Sequence, residues 1–165
     1  MRRIVLLGAL SGLLFWGCGT GAAARNFSFS VPSGWKKVDT VLAGIRLTAA
    51  LSPDTAGQVR PNVSVTTEST GGVSLDKYFD ANVRRITGSV ARFRMIGKGE
   101  KTIGGMRGRW VDFTGQMANK VELEQRLYIV VSQGTAYLIT CTAAEGRWKR
   151  DEWRFNQVLD SFTIN

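Results

Sequence analysis

Residues 107–143, RGRWVDFTGQMANKVELEQRLYIVVSQGTAYLITCTA, decide the fold. Three apolar-rich runs, 107–117, 121–132 and 135–143, are separated by a short loop at Ala118-Asn119-Lys120 and a turn at Gln133-Gly134. Short connections of this kind join antiparallel neighbours. The first loop sets a register that pairs Val111 with Leu127, Trp110 with Tyr128 and Asp112 with Arg126. The second pairs Ile129 with Leu138 and Tyr128 with Ile139, and it places Arg126 across from Cys141. Side chains alternate between the two faces of a strand. One face therefore carries Val111, Phe113, Leu127, Ile129 and Leu138, and the other Trp110, Tyr128, Val130, Tyr137 and Ile139. An antiparallel sheet usually leaves one face to water. Two apolar faces need two covers, which predicts helices on both sides.

Both helices are visible in the flanking sequence. Ser74 is placed as an N-cap, and Leu75, Tyr78, Phe79, Val83 and Ile86 follow at helical spacing up to Gly88. Residues 145–160 read as the second helix, with Trp148, Phe155, Val158 and Leu159 toward the core and Phe162 just beyond. FSFSVPSGW, from Phe27, alternates Phe27, Phe29 and Val31 on one side and stops at a turn. Residues 43–51 and 62–68 read as strands on either side of the turn-rich SPDTAGQVRP. FRMIGKGEKTIGG, from Phe93, reads as a strand whose glycines mark bends. The fold class is α+β, an antiparallel sheet covered by helices on both faces.

The N-terminus carries an address. Met1-Arg2-Arg3 is a positive head, and Ile4–Trp16 is an apolar run too short to cross a bilayer comfortably. It fits the apolar region of a signal peptide. Gly17 and Cys18 follow, and together with Leu14, Phe15 and Trp16 they resemble a relaxed lipobox, the site where bacterial lipoproteins are acylated on cysteine and cut just before it. Ala22-Ala23-Ala24 offers a second cut, which would leave Arg25 first. The favoured division is a signal peptide over 1–17, a lipidated Cys18 with a tether over 18–26, and one domain over 27–165. A thiol consumed by lipid cannot form a disulfide with Cys141, the only other cysteine.

The composition excludes much chemistry. The 165 residues contain no histidine, which removes the side chain that most often does acid–base work near neutral pH and the commonest transition-metal ligand. Two cysteines alone do not make a zinc site, so no metal and no cofactor are expected. The formal charge is +9, and loss of Arg2 and Arg3 would leave 20 basic against 13 acidic residues. Basic surfaces raise nucleic acid as a partner. The export signal and the missing recognition motifs argue against it.

The remaining candidates are few. Glu122 and Glu124 share a strand face and, with Asp112, are the only carboxylates that could serve a secreted enzyme. The plainer reading is a charged strand face with Arg126 beside them and Thr114 and Gln116 opposite. GKGEKTIGG fits neither phosphate-binding glycine pattern. Cys141 reads as a small buried residue. EGRWKRDEWRF offers Lys149, Arg150, Trp153 and Arg154 as a candidate surface for a membrane or partner, the plainer reading being a solvated face on a basic protein. Arg84, Arg85, Arg92 and Arg94 form a second basic cluster.

The order of these segments is similar to that of a known family. FSFSVPSGW, PNVSVTTES, SLDKYFDANV, GEKTIGGMRGRWVDFTG, RLYIVVSQGTAYLITCTAAEGRW and VLDSF resemble the PsbP-like superfamily, which includes DcrB-related bacterial lipoproteins and the Ran-binding protein of the Mog fold. The resemblance spans roughly 26–163. It implies an α-β-α sandwich used as a binding or assembly module, and it brings no catalytic motif. Fold alone does not assign the job. The expectation is a non-catalytic, lipid-anchored extracytoplasmic protein, attached to membrane lipid through Cys18 and binding another envelope protein or an anionic surface. The alternatives are a secreted carboxylate enzyme and a soluble periplasmic binding protein cut after Ala24.

Overall fold

The computed structural model describes residues 27–42, 44–54, 59–117 and 119–165. Cys18, the tether and the Ala22–Ala24 cut lie outside the described residues, as do Ala43 and Ala118. Seven strands make the main sheet: β2 (Lys36–Leu42), β3 (Ile45–Leu51), β4 (Asn62–Ser69), β5 (Ala91–Ile103), β6 (Met106–Gln116), β7 (Glu122–Ser132) and β8 (Thr135–Ala144). Their order is β2-β3-β4-β8-β7-β6-β5, with every neighbouring pair antiparallel. Two short strands, β1 (Phe27–Ser28) and β9 (Thr163–Ile164), pair with each other and bring the two ends of the domain together. The helices are α1 (Leu75–Ser89) and α2 (Trp148–Asp160).

The register around 107–143 is the one the loops dictate: Val111 faces Leu127, Asp112 faces Arg126, Ile129 faces Leu138 and Arg126 faces Cys141. The two apolar faces each meet one helix. Tyr78, Phe79 and Ile86 of α1 cover Val111, Phe113, Leu127, Ile129 and Leu138. Trp148, Phe155, Val158 and Leu159 of α2 cover Tyr128, Val130, Tyr137, Ile139 and Cys141, with Trp35 and Phe162 filling in.

Topology sets where each helix lies. The chain must leave β4 in the middle of the sheet and re-enter at the far edge as β5, running in the same direction. Such a crossover needs a covering segment, and a helix supplies it. That segment is α1, which packs on β6 and β7. Ser74 starts it by accepting a hydrogen bond from the Lys77 N–H at 3.4 Å. The opposite face receives α2, over β8 and β4. The helices are thus offset across the sheet.

Three expectations need correction. The sequence pattern predicts no strand at 36–42, yet β2 forms there: KKVDTVL is an edge strand with alternate side chains in water, so its apolar period is weak. The last helix begins at Trp148, not at residue 145. The Glu145 N–H still donates to the Glu122 carbonyl at 3.4 Å, and Gly146 turns the chain with a φ of 76°. That left-handed value favours glycine and stops a helix from starting earlier. Finally, the first strand is two residues long and pairs with β9 rather than with the main sheet, although Phe27, Phe29 and Val31 do pack on the α2-side core.

Candidate functional site

The sequence-derived carboxylates converge on the α2 side of the sheet. Asp112 on β6 and Arg126 on β7 are direct cross-strand partners, and the guanidinium donates to Asp112 Oδ2 from Nε at 3.0 Å and Nη2 at 2.5 Å. The Asp112 side chain is 3% exposed and that of Arg126 21%. The guanidinium lies 5.1 Å from the Trp110 ring and 4.7 Å from the Trp148 ring, so indoles from β6 and from α2 enclose it. Its Nη1 reaches the Tyr128 hydroxyl at 3.5 Å and Glu152 at 3.7 Å, and Glu152 in turn accepts from the Trp148 indole N–H at 3.2 Å. Cation–π contact with two rings and an ion pair suits arginine, whose flat, weakly hydrated head stacks as well as it donates.

The neighbouring edge strand makes room for this cage. A Cβ at Gly99 would stand 2.9 Å from Trp110 Cζ2, and one at Gly97 would touch the same ring at 3.5 Å. These glycines sit on β5 where the indole lies across it, and the register slips between Met95 and Gly97. The glycine reading of this segment thus acquires a specific cause, the close approach of a side chain to the backbone.

The groups around the cage are held in the forms that burial dictates. Cys141, opposite Arg126, is fully buried and free, and burial pushes its thiol well above the usual range against the pull of Arg126. Burial pushes the Tyr128 phenol up to about 12. Burial also raises Glu124 above the ordinary carboxylate range, and Asp112 adds to the effect. Glu122 is engaged separately: it accepts from Gln116 at 2.8 Å and lies 3.6 Å from Arg92. The Glu122–Glu124 face therefore does not act as a unit. One carboxylate is tied to the β6–β5 side, and the other stands beside an Asp112 that Arg126 already occupies. Among the described residues no cluster of three His, Cys, Asp or Glu could hold a metal ion.

The helix surface at 149–154 is partly neutralised. Trp153 is 56% exposed, as its place off the apolar stripe requires, and Arg154 stacks on its ring at 4.2 Å. Arg150 pairs with Asp54 at 2.7 Å and with Asp151 at 3.3 Å, and Arg154 reaches Asp151 at 3.7 Å. Asp151 is buried in the first turn of α2, where its charge also complements the helix dipole. Lys149 is exposed and has no ion pair among the described residues. The second basic cluster separates. Arg85 faces Glu68 and Asn82, Arg94 pairs with Glu145 at 3.2 Å, and Arg92 meets Glu122.

Sequence reading missed another charged knot, on the α1 side. Arg107 donates to both oxygens of Asp76 at 3.0 and 3.1 Å and also to Glu100 at 2.6 Å, and Arg109 joins Asp76 while stacking on Phe79 at 4.5 Å. Hydrogen bonds from Arg107 and then Arg109 hold Asp76 below the usual carboxylate range. The alternation of charges in GEKTIGGMRGR was the available signal.

A seven-stranded antiparallel sheet with one helix on each face is an α-β-α sandwich, and the features just described sit on its strands and both helices. Three comparisons bear on its kinship. A PsbP family model matches residues 22–164, nearly the whole described domain. The chain belongs to the PsbP family. Solved structures agree on the fold. LpqN of Mycobacterium tuberculosis, described as involved in cell envelope biogenesis, is similar with a TM-score of 0.66 and 14% identity over 86% of this chain and 84% of that one. The cyanobacterial PsbP, CyanoP, from Synechocystis sp. PCC 6803 gives 0.58 and 18% over 92% and 99%. PA94 from Pseudomonas aeruginosa, a protein of unknown function described as a putative regulator, gives 0.63 and 11% over 76% and 94%. No curated protein sequence matches the chain. Among the described residues no helix is long and apolar enough to cross a membrane.

Proposed function

We propose that the protein is a lipid-anchored extracytoplasmic lipoprotein whose PsbP-type domain binds or assembles another envelope component without catalysing a reaction. The observation that carries this reading is the placement of Cys18, directly after a short apolar run and just ahead of a family match that begins at residue 22. The 21 residues ahead of the match hold that apolar run and Cys18. The envelope connection of LpqN favours the same address. The non-catalytic part is supported by the state of the candidate groups: the thiol of Cys141 is buried, and Asp112 is committed to Arg126.

For the α2 surface we adopt a protein partner over a bilayer. Asp54 and Asp151 offset Arg150 and Arg154, so Trp153 is an exposed indole in a polar rim whose arginines are paired and whose Lys149 is not. An exposed aromatic with a polar surround is typical of interface anchors. Metabolic labelling with an alkyne fatty acid tests the anchor: label on the wild-type protein, and none after Cys18→Ser, is expected. An unlabelled wild-type protein would overturn the reading and favour the cut after Ala24.

A further inference from the structure

The positive charge that the fold leaves unpaired is gathered at one end of the sheet. Lys36, Lys37, Arg60, Lys120, Arg147 and Lys149 form no ion pair among the described residues. Strand register places all of them together. Lys36 and Lys37 open β2 opposite the end of β3, Arg60 precedes β4, Arg147 and Lys149 follow β8, and Lys120 precedes β7. The row thus runs along the sheet end from the β2 edge to β7, and beyond it Arg92 and Arg94 of β5 are paired with Glu122 and Glu145. Neighbouring strands lie about 4.8 Å apart, so the row spreads over roughly 19 Å. The other unpaired cations, Arg46, Lys77, Arg84 and Lys98, are scattered over β3, α1 and β5.

The chain enters the domain at the opposite end of the sheet. Phe27 pairs with Ile164 and packs against Tyr137 and Phe162, near the turn at Gly104-Gly105. β7, with 11 residues at ~3.4 Å each, sets the two ends about 37 Å apart.

We propose that this basic end binds a flexible polyanion, a polymer carrying phosphate or carboxylate groups, on the side of the domain away from its attachment point. Only the orientation rests on the lipid-anchor reading; the binding does not. Point charges on separate turns, with Trp153 at one flank beside Lys149 rather than at their centre, match a chain of like charges better than an interface with an apolar centre. Such attraction is long-ranged but screened by salt within about 8 Å at physiological strength.

The test uses the full-length protein purified in detergent, with polyphosphate, poly-glutamate and phosphatidylglycerol vesicles as probes. One variant carries Arg60→Gln, Lys120→Gln, Arg147→Gln and Lys149→Gln. A control carries Arg46→Gln, Lys77→Gln, Arg84→Gln and Lys98→Gln. Both lose four charges, and circular dichroism melts confirm that both are folded. The expected result is salt-dependent binding of polyphosphate, poly-glutamate or both, weakened about tenfold or more in the first variant and within about twofold of wild type in the control. Preference between the two polymers identifies phosphate or carboxylate as the recognised group. Equal weakening in both variants, binding to neither polymer, or binding to vesicles alone would each overturn the proposal. Repeating the measurement with Cys18→Ser separates it from the anchor, since polymer binding must survive loss of the lipid site.

Discussion

The molecule contains two knots of arginine and carboxylate that look alike as chemistry and differ as environments. The Asp112–Arg126 pair sits under α2 between two indoles, with Asp112 almost wholly buried. The Asp76–Arg107–Glu100 knot sits at the start of α1 with each of these side chains about half exposed. Burial removes water that would otherwise solvate the ions. The inner pair is therefore held in place by the cost of breaking it, while the outer knot competes with water and salt at every contact. The difference teaches that the elaborate cluster found by following candidate catalytic residues is a packing device that ties α2 to β6 and β7, and that the unpaired charge lies elsewhere.

That contrast can be broken by experiment. The largest effect is expected for Asp112→Ala, which takes its close partner from the largely buried Arg126 and leaves only Glu152 at 3.7 Å, and should lower stability by about 3 kcal/mol in urea unfolding. The double change Asp112→Leu with Arg126→Met should recover most of that loss, because an apolar pair of similar volume needs no ion partner. A loss under about 1 kcal/mol for Asp112→Ala would show that the inner knot behaves like a surface pair. Thiol labelling gives an independent view. Cys141 should resist alkylation at pH 8 in the native protein, since burial holds it as the thiol, and should react faster in Asp112→Ala.

Smaller effects refine the picture. Gly99→Ala should cost about 1–3 kcal/mol, because the added carbon meets a Trp110 ring that Arg126 prevents from yielding. Asp76→Asn should lower the melting temperature by no more than about 2 °C, a change that 1 M NaCl erases. Asp76 has its carboxyl pKa lowered by folding, so its contribution is present above the unfolded value and fades as pH falls through the folded one. Glu124 has the opposite sign. Folding raises its pKa, so the protein loses stability as pH rises through that value, and Glu124→Gln should raise the melting temperature slightly at pH 7 and flatten its pH dependence above about pH 4. A fall at pH 7 would place Glu124 in a favourable ion pair instead.

Much of the fold was legible because short loops fix register. Ala118-Asn119-Lys120 and Gln133-Gly134 were enough to pair Asp112 with Arg126 and to sort the apolar residues onto two faces, and Ser74 with its following stripe located α1. What could not be read depends on contacts distant in sequence. The enclosure of Arg126 needs Trp148, which arrives only when α2 docks, and the β1–β9 ladder needs residues separated by the whole domain. β2 was lost because an edge strand buries little, and its Lys36, Lys37 and Asp39 blur the alternation. At the candidate surface, Trp153 was placed correctly from its position off the helix stripe. The neutralisation of Arg150 by Asp54 was not foreseeable, because Asp54 comes from the β3–β4 connection.

In this account the protein's chemistry lies at its attachment point and at the basic end of its sheet, while the buried charges serve the fold. The most direct test is the intact mass, with N-terminal fragmentation, of the mature protein extracted from its native membrane. The account predicts a chain that begins at Cys18 and carries a diacylglyceryl group on the thiol. A chain that begins at Arg25 with no acyl group would contradict it.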